Sequence, residues 1–173
     1  LSKAFVQEVK YAGESAASKI ARIREKTGQN ALVLSSLEEV AWTLNLRADD
    51  VAYTPFVLGY VVITPTDTLL YTYKEKVTAE VEAYLKAEGV GLRPYESIGR
   101  LDMPVCVQPN KTNHAVYTAI KMPVRKDSPV GKMLIFKNET EIKCFRNAME
   151  KDGVAMVKWM KWTLENVPKG GQT

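Results

Sequence analysis

The residues able to do acid–base, nucleophilic or metal chemistry in this chain are few and scattered. Its one histidine, His114 in NKTNHAVY, has no second histidine and no Asp or Glu at ligand spacing beside it. A metal site or a general base needs such partners, so His114 reads as a residue at a helix start. Asp49 and Asp50 stand together in NLRADDV, and a carboxylate pair could clamp a divalent cation. Adjacent residues on an extended chain point to opposite faces, however, which favours turn formation and capping. Cys106 in PVCVQ and Cys144 near the carboxyl end have no CxxC spacing and no activating neighbour. They suit buried thiols in a reducing compartment. No GxGxxG or GxxxxGK[ST] is present. No catalytic, cofactor-binding or metal residue is assigned, and the chain by itself is expected to be non-catalytic.

The elements that must hold these residues follow from apolar periodicity. Ser15 caps a helix running to about Lys26, with Ala17, Ile20, Ala21 and Ile23 on its apolar face and Gly28 as its stop. ALVLS (31–35) is a short buried strand. Ser35 or Ser36, three residues before Glu38 or Glu39, forms a capping box for a helix that faces Leu37, Val40, Ala41 and Leu44 inward. PFVLGYVVIT (55–64) is apolar at both alternating sets of positions, as for a central strand covered on both faces, with Gly59 marking a close backbone approach or a bulge. PTD turns this strand into TLLYTY, and Thr78 caps a helix carrying Val81, Tyr84 and Leu85 that ends at Gly89. Strands near 90–94 and 105–107, a short helix through Ile98, a helix over 115–120 and a strand at MLIF (133–136) complete a mixed sheet flanked by helices. That is an α/β layer architecture.

The 173 residues fit one ordinary domain, and their 24 basic and 20 acidic side chains are interspersed, which describes a solvated surface. The basic clusters at 22–26 and 121–132 lack interleaved aromatics, so a basic nucleic-acid-binding domain is a minor alternative. No apolar run approaches the roughly 18 residues of a membrane span, and no signal peptide opens the chain. A cytoplasmic location without membrane contact is expected.

Four stretches carry a family resemblance: KYAGESAASKIARIREKTGQN, LEEVAWTLNLR, KNETEI with the following DGVA, and ENVPKGG. They resemble the aminopeptidase P family, the Xaa-Pro aminopeptidases, in its second domain and in the helix that opens its third. Ala48 departs from the pattern, since Gly usually follows NLR there. The resemblance implies a ribonuclease H-like fold of the creatinase N-terminal type over 1–137, with 1–13 a linker from a preceding domain. It makes 138–173 a truncated helix leading into an absent pita-bread catalytic domain. In the family that third domain binds two divalent metals, usually manganese, through two Asp, one His and two Glu that lie beyond PKGG.

The resemblance also implies a role: a middle domain that positions and restricts access to the active site of a metalloaminopeptidase acting on Xaa-Pro peptides. Its partners would be the first and third domains of the parent chain and the peptide substrate. Asn45, Arg47 and Asp50 are the candidate rim of the substrate entrance, Arg47 either meeting the peptide or pairing with Asp49 or Asp50. Phe145, Met149, Met156, Trp159, Met160 and Trp162 are the candidate interdomain surface, or a homodimer surface in isolation. A helix so widely apolar is either covered partly by another domain or absorbed whole into this domain's core. The competing reading is an aminopeptidase-like binding module of a non-enzymatic, histone chaperone-type protein, because fold does not fix function.

Overall fold

A computed structural model describes residues 2–98 and 102–171. The chain divides into two compact units, Leu1–Phe136 and Lys137–Thr173. The first unit opens with β1 (Phe5–Val6), α1 (Val9–Ala12), α2 (Ala16–Thr27), β2 (Ala31–Leu34), α3 (Leu37–Leu44) and β3 (Leu46–Arg47). It continues through β4 (Tyr60–Ile63), β5 (Thr68–Thr72), α4 (Ala79–Ala87), β6 (Val90–Pro94), β7 (Val105–Val107), α5 (His114–Ala119), β8 (Pro123–Arg125) and α6 (Pro129–Ile135). The second unit is α7 (Glu139–Asn166), closed by a 3-10 turn at Val167–Lys169.

Six strands form the main sheet in the order β6-β5-β4-β2-β7-β8. β4 runs antiparallel to both of its neighbours, while the β5–β6, β2–β7 and β7–β8 pairs are parallel. The two central strands, ALVL in β2 and YVVI in β4, are buried at every position, as strands covered on both faces must be. Their alternation sorts two cores. Leu32, Leu34, Val61 and Ile63 pack with Ile20 and Ile23 of α2, Val40 and Leu44 of α3, and Val130 of α6. Ala31, Val33, Tyr60 and Val62 pack on the other side with Val116 and the following Ile120.

The helices begin where capping residues permit. The side chains of Ser15, Thr78, Asn113 and Ser128 accept from the backbone N–H groups of Ser18, Val81, Val116 and Val130. α2 ends at Gly28, with φ of 71°. Gly59 meets a close approach: a Cβ there would lie 2.9 Å from the Tyr71 carbonyl oxygen. No larger residue fits without moving the backbone of β5.

Several expectations are corrected. MLIF lies in and just after helix α6, not in a strand, because Ser128 caps that helix and Pro129 occupies its first turn. The edge position falls instead to the short β8. PFVLGYVVIT is a strand only over Tyr60–Ile63; Phe56 and Leu58 precede it and are half-buried. The inward face of α2 is Ala16, Lys19, Ile20, Ile23 and Thr27, with Ala17 and Ala21 exposed. Ser36 precedes α3 but makes no side-chain cap bond, so the capping box there does not form. The described part of the expected linker, residues 2–13, is packed into the first unit. Phe5 and Val6 pair with Arg47 and Leu46, Ala4 N–H donates to the Lys76 carbonyl at 2.9 Å, and Ala4 and Ala12 are buried.

Candidate functional site

The expected rim, Asn45 to Asp50, is anchored more deeply than a substrate rim would be. Asn45 ends α3 in the left-handed region, φ 50°, and is 1% exposed. Its Oδ1 accepts from Lys19 Nζ at 2.7 Å and its Nδ2 donates to the Glu14 carbonyl at 2.8 Å. Lys19, itself buried, also donates to the Trp42 carbonyl at 2.8 Å and sits 4.4 Å from the centre of the Trp42 ring. Carbonyls at the end of a helix and an aromatic face both stabilise a cation, so α3 receives the ammonium of α2 at its carboxyl end.

Asp50 is held by a wholly buried ion pair with Lys76, and it accepts from Leu58 N–H at 2.9 Å and from Ser2 N–H at 3.2 Å. Burial alone would raise the Asp50 pKa. Lys76 and the two backbone donors outweigh it and hold the carboxyl below its ordinary value of 3.8. The polar atoms of Asn45 and Asp50 are thus taken up by long-range partners within the fold. Arg47 is partly open, and its Nη1 donates to the carbonyls of Ala41 at 2.8 Å and Leu46 at 2.9 Å. Ala48 is fully buried and is not among the residues with positive φ, so the backbone there does not need glycine.

A further polar cluster was not visible from local pattern. Glu39, 0% exposed, accepts from Gln108 Nε2 and from Lys111 Nζ, each at 2.7 Å. The hydrogen bond to Glu39 is the main cause that raises the Lys111 pKa. Gln108 follows β7 directly, so this trio ties the loop beyond β7 to α3 across the carboxyl ends of β2 and β7. The available signal was weak: an acidic residue at a position that the helical face turns inward.

His114 is exposed at the first position of α5, with Asn113 as the cap. Cys106 is buried, and Cys144 only half so. Among the described residues no three His, Cys, Asp or Glu side chains gather as a metal-binding group. A two-metal centre needs converging carboxylates with a histidine, so the donors present here do not fit one.

In the second unit, Asn138 and Glu141 form a complete capping box at the start of α7. Phe145, Met149, Met156, Trp159, Met160 and Trp162 are each between 48% and 61% exposed, and no residue of the helix is buried.

A family profile described as the creatinase/prolidase N-terminal domain matches residues 1–141. The chain belongs to that family. The match takes in the whole first unit of this creatinase/prolidase N-terminal domain and the first turn of α7. A probable Xaa-Pro aminopeptidase P of Neurospora crassa is 32% identical over 179 residues, covering 91% of this chain and 26% of the relative. Aminopeptidase P2 of Arabidopsis thaliana is 28% identical over 205 residues, covering 95% of this chain and 29% of the relative. Among solved structures, the X-prolyl aminopeptidase of Caenorhabditis elegans superposes with a TM-score of 0.89 at 24% identity, over 97% of this chain and 30% of its own. It is described as a cytosolic enzyme with a di-nuclear active site. The prolidase of Pyrococcus horikoshii aligns with a TM-score of 0.53 at 18% identity, over 82% of this chain and 41% of its own. The chain thus spans 26% to 30% of the length of the curated relatives it matches. These likenesses agree with the mixed sheet flanked by helices and followed by one long helix.

Proposed function

We propose that this creatinase/prolidase N-terminal domain is a non-catalytic part of a metalloaminopeptidase that removes the residue preceding proline. It positions the active site of another domain and limits which peptides reach it. The observation that carries the reading is the family match over the whole first unit, together with relatives named as Xaa-Pro aminopeptidases that are several times longer. Two divalent metals, manganese by expectation, would be held outside this chain, and the C. elegans neighbour's di-nuclear site supports that number.

The parent works in the cytoplasm in this reading, as that neighbour does, and no helix among the described residues is long and apolar enough to cross a membrane. The preceding and following domains of the parent are the chain's partners, and α7 offers its apolar faces to the following one. Arg47 is the one expected rim residue open enough to meet peptide. The test pairs the purified 173-residue chain with a longer protein containing it, each assayed with manganese on Xaa-Pro peptides of increasing length. The longer protein should cleave and the chain should not, and Arg47→Ala in the longer protein should change the dependence on peptide length. Chelator-sensitive turnover by the chain itself, free of host peptidase, would overturn the reading.

A further inference from the structure

The segment Ser2–Gln7 crosses the stretch that carries Arg47 and is bonded along its length. The Ser2 N–H and hydroxyl both donate to Asp50 Oδ1 at 3.2 Å, and the Ser2 carbonyl accepts from Lys76 Nζ at 3.0 Å. Ser2 Oγ also accepts from the Asp49 N–H at 2.8 Å. Ala4 N–H donates to the Lys76 carbonyl at 2.9 Å, and Gln7 N–H to the Asn45 carbonyl at 2.7 Å. Between them, Phe5 and Val6 pair with Arg47 and Leu46, so that β1 and β3 form a two-stranded sheet separate from the main one.

This segment is held by polar bonds more than by packing. Of Ser2–Gln7 only Ala4 is buried, and Phe5 is 48% exposed. Segments with few buried apolar contacts open at a fraction of the cost of global unfolding. Ser2 touches both members of the Asp50–Lys76 pair, whose side chains are 0% exposed. Lifting Ser2 away returns two charges to water, and the hydration they regain lowers the cost of opening. The bond from the Leu58 N–H to Asp50 Oδ2, at 2.9 Å, lies within the body of the unit and does not involve the segment. Arg47 depends on the segment twice. Its backbone pairs with Phe5, and its side chain bonds the carbonyl of Leu46, the partner of Val6.

We propose that Ser2–Gln7 is an openable strap, locked by Asp50 and Lys76, that positions Arg47. Closed, it supplies the strand that β3 pairs with and fixes the Leu46 carbonyl that holds the guanidinium. Open, it leaves the edge of β3 bare and lets the guanidinium turn. Asp50 and Lys76 are positioning residues, acting on Arg47 through the strap, and a pull on the chain at Ser2 reaches Arg47 by the same route. That Arg47 meets peptide rests on the function proposed above; the strap and its lock do not, so the two fail separately.

The test is hydrogen exchange of the ¹⁵N-labelled 173-residue chain, read by NMR over a range of urea too low to unfold it. The amides of Ala4 and Gln7 should exchange faster than those of β2 and β4 and at rates nearly independent of urea, whereas protection in β2 and β4 should fall steeply with urea. Ile63→Ala should lower protection in β2 and β4 and leave Ala4 and Gln7 unchanged. Asp50→Asn, which strands the Lys76 charge under the closed strap, should lower protection at Ala4 and Gln7 by about tenfold or more and speed rotation of the Arg47 guanidinium, seen in its Nη signals. The proposal is overturned if Ala4 and Gln7 follow urea as the central strands do, if Ile63→Ala lowers both sets alike, or if Asp50→Asn leaves the strap amides or the Arg47 signals unchanged. The urea comparison uses the unsubstituted chain, so it decides even where Asp50→Asn does not fold.

Discussion

In α2, twelve residues set Ala16, Lys19, Ile20, Ile23 and Thr27 on one face, and all five are buried. In α7, 28 residues carry three methionines, two tryptophans and a phenylalanine, and none is buried. Both helices start from a capping side chain, so local chemistry does not separate them. What separates them is the partner. α2 is held by a sheet and by a cation that reaches into α3, whereas α7 exceeds the roughly 12–15 residues at which a helix can persist on local terms. The apolar faces of α7 are read here as a surface for another body.

If the first unit is held by long-range contacts, its largest losses should come from the buried ion pair. Lys76→Ala leaves Asp50 buried without its cation and should cost about 3–5 kcal/mol. Urea unfolding measures it, and a loss below 1 kcal/mol would mean the pair is not buried in solution. Core packing comes next. Ile63 is 1% exposed within β4, so Ile63→Ala should cost about 2–5 kcal/mol. Leu58 lies before the strand and is half-buried, and Leu58→Ala should cost clearly less. Equal losses at the two positions would extend the strand back to Pro55.

A smaller effect tests the same ion pair by pH. The Asp50 pKa is depressed below 3.8 in the folded protein, so as pH falls the unfolded chain takes up the proton first. The stability Asp50 contributes is thus complete above 3.8 and is lost as pH drops from there through the folded value. Asp50→Asn should flatten that acid limb of a stability–pH curve. An unchanged limb would assign it to other carboxylates.

These contacts also mark the limit of what was legible beforehand. Ser15, Gly28 and Thr78 are local signals, and the helices they bound were readable to within a residue or two. Asn45 and Asp50 looked like loop-tip polar residues because their partners, Lys19 and Lys76, stand 26 residues away in each case. Glu39 looked like a capping residue because Gln108 and Lys111 are 69 and 72 positions distant. Even MLIF was misread through a local rule: its apolar run outweighed Ser128-Pro129, the helix start before it. Chemistry closed over long sequence separation is invisible to periodicity, and the internal supports of the expected rim are of that kind.

The smallest effect on stability should accompany the clearest effect on association. Trp159→Glu with Met160→Glu changes exposed positions, so the unfolding free energy should move by no more than about 0.5 kcal/mol. The same double variant removes two large apolar side chains from a helix whose polar stripe is limited to residues such as Lys151, Lys158, Lys161 and Glu165. Apolar patches this extensive on a free chain drive pairing, either side by side or by exchange of the helix between two copies. Light scattering across a concentration series should therefore show the unsubstituted chain passing from monomer to dimer and the double variant remaining monomeric. An unsubstituted chain that stays monomeric, with both tryptophans quenched and protected, would show that α7 finds cover within its own chain. The contrast between the two helices would then disappear.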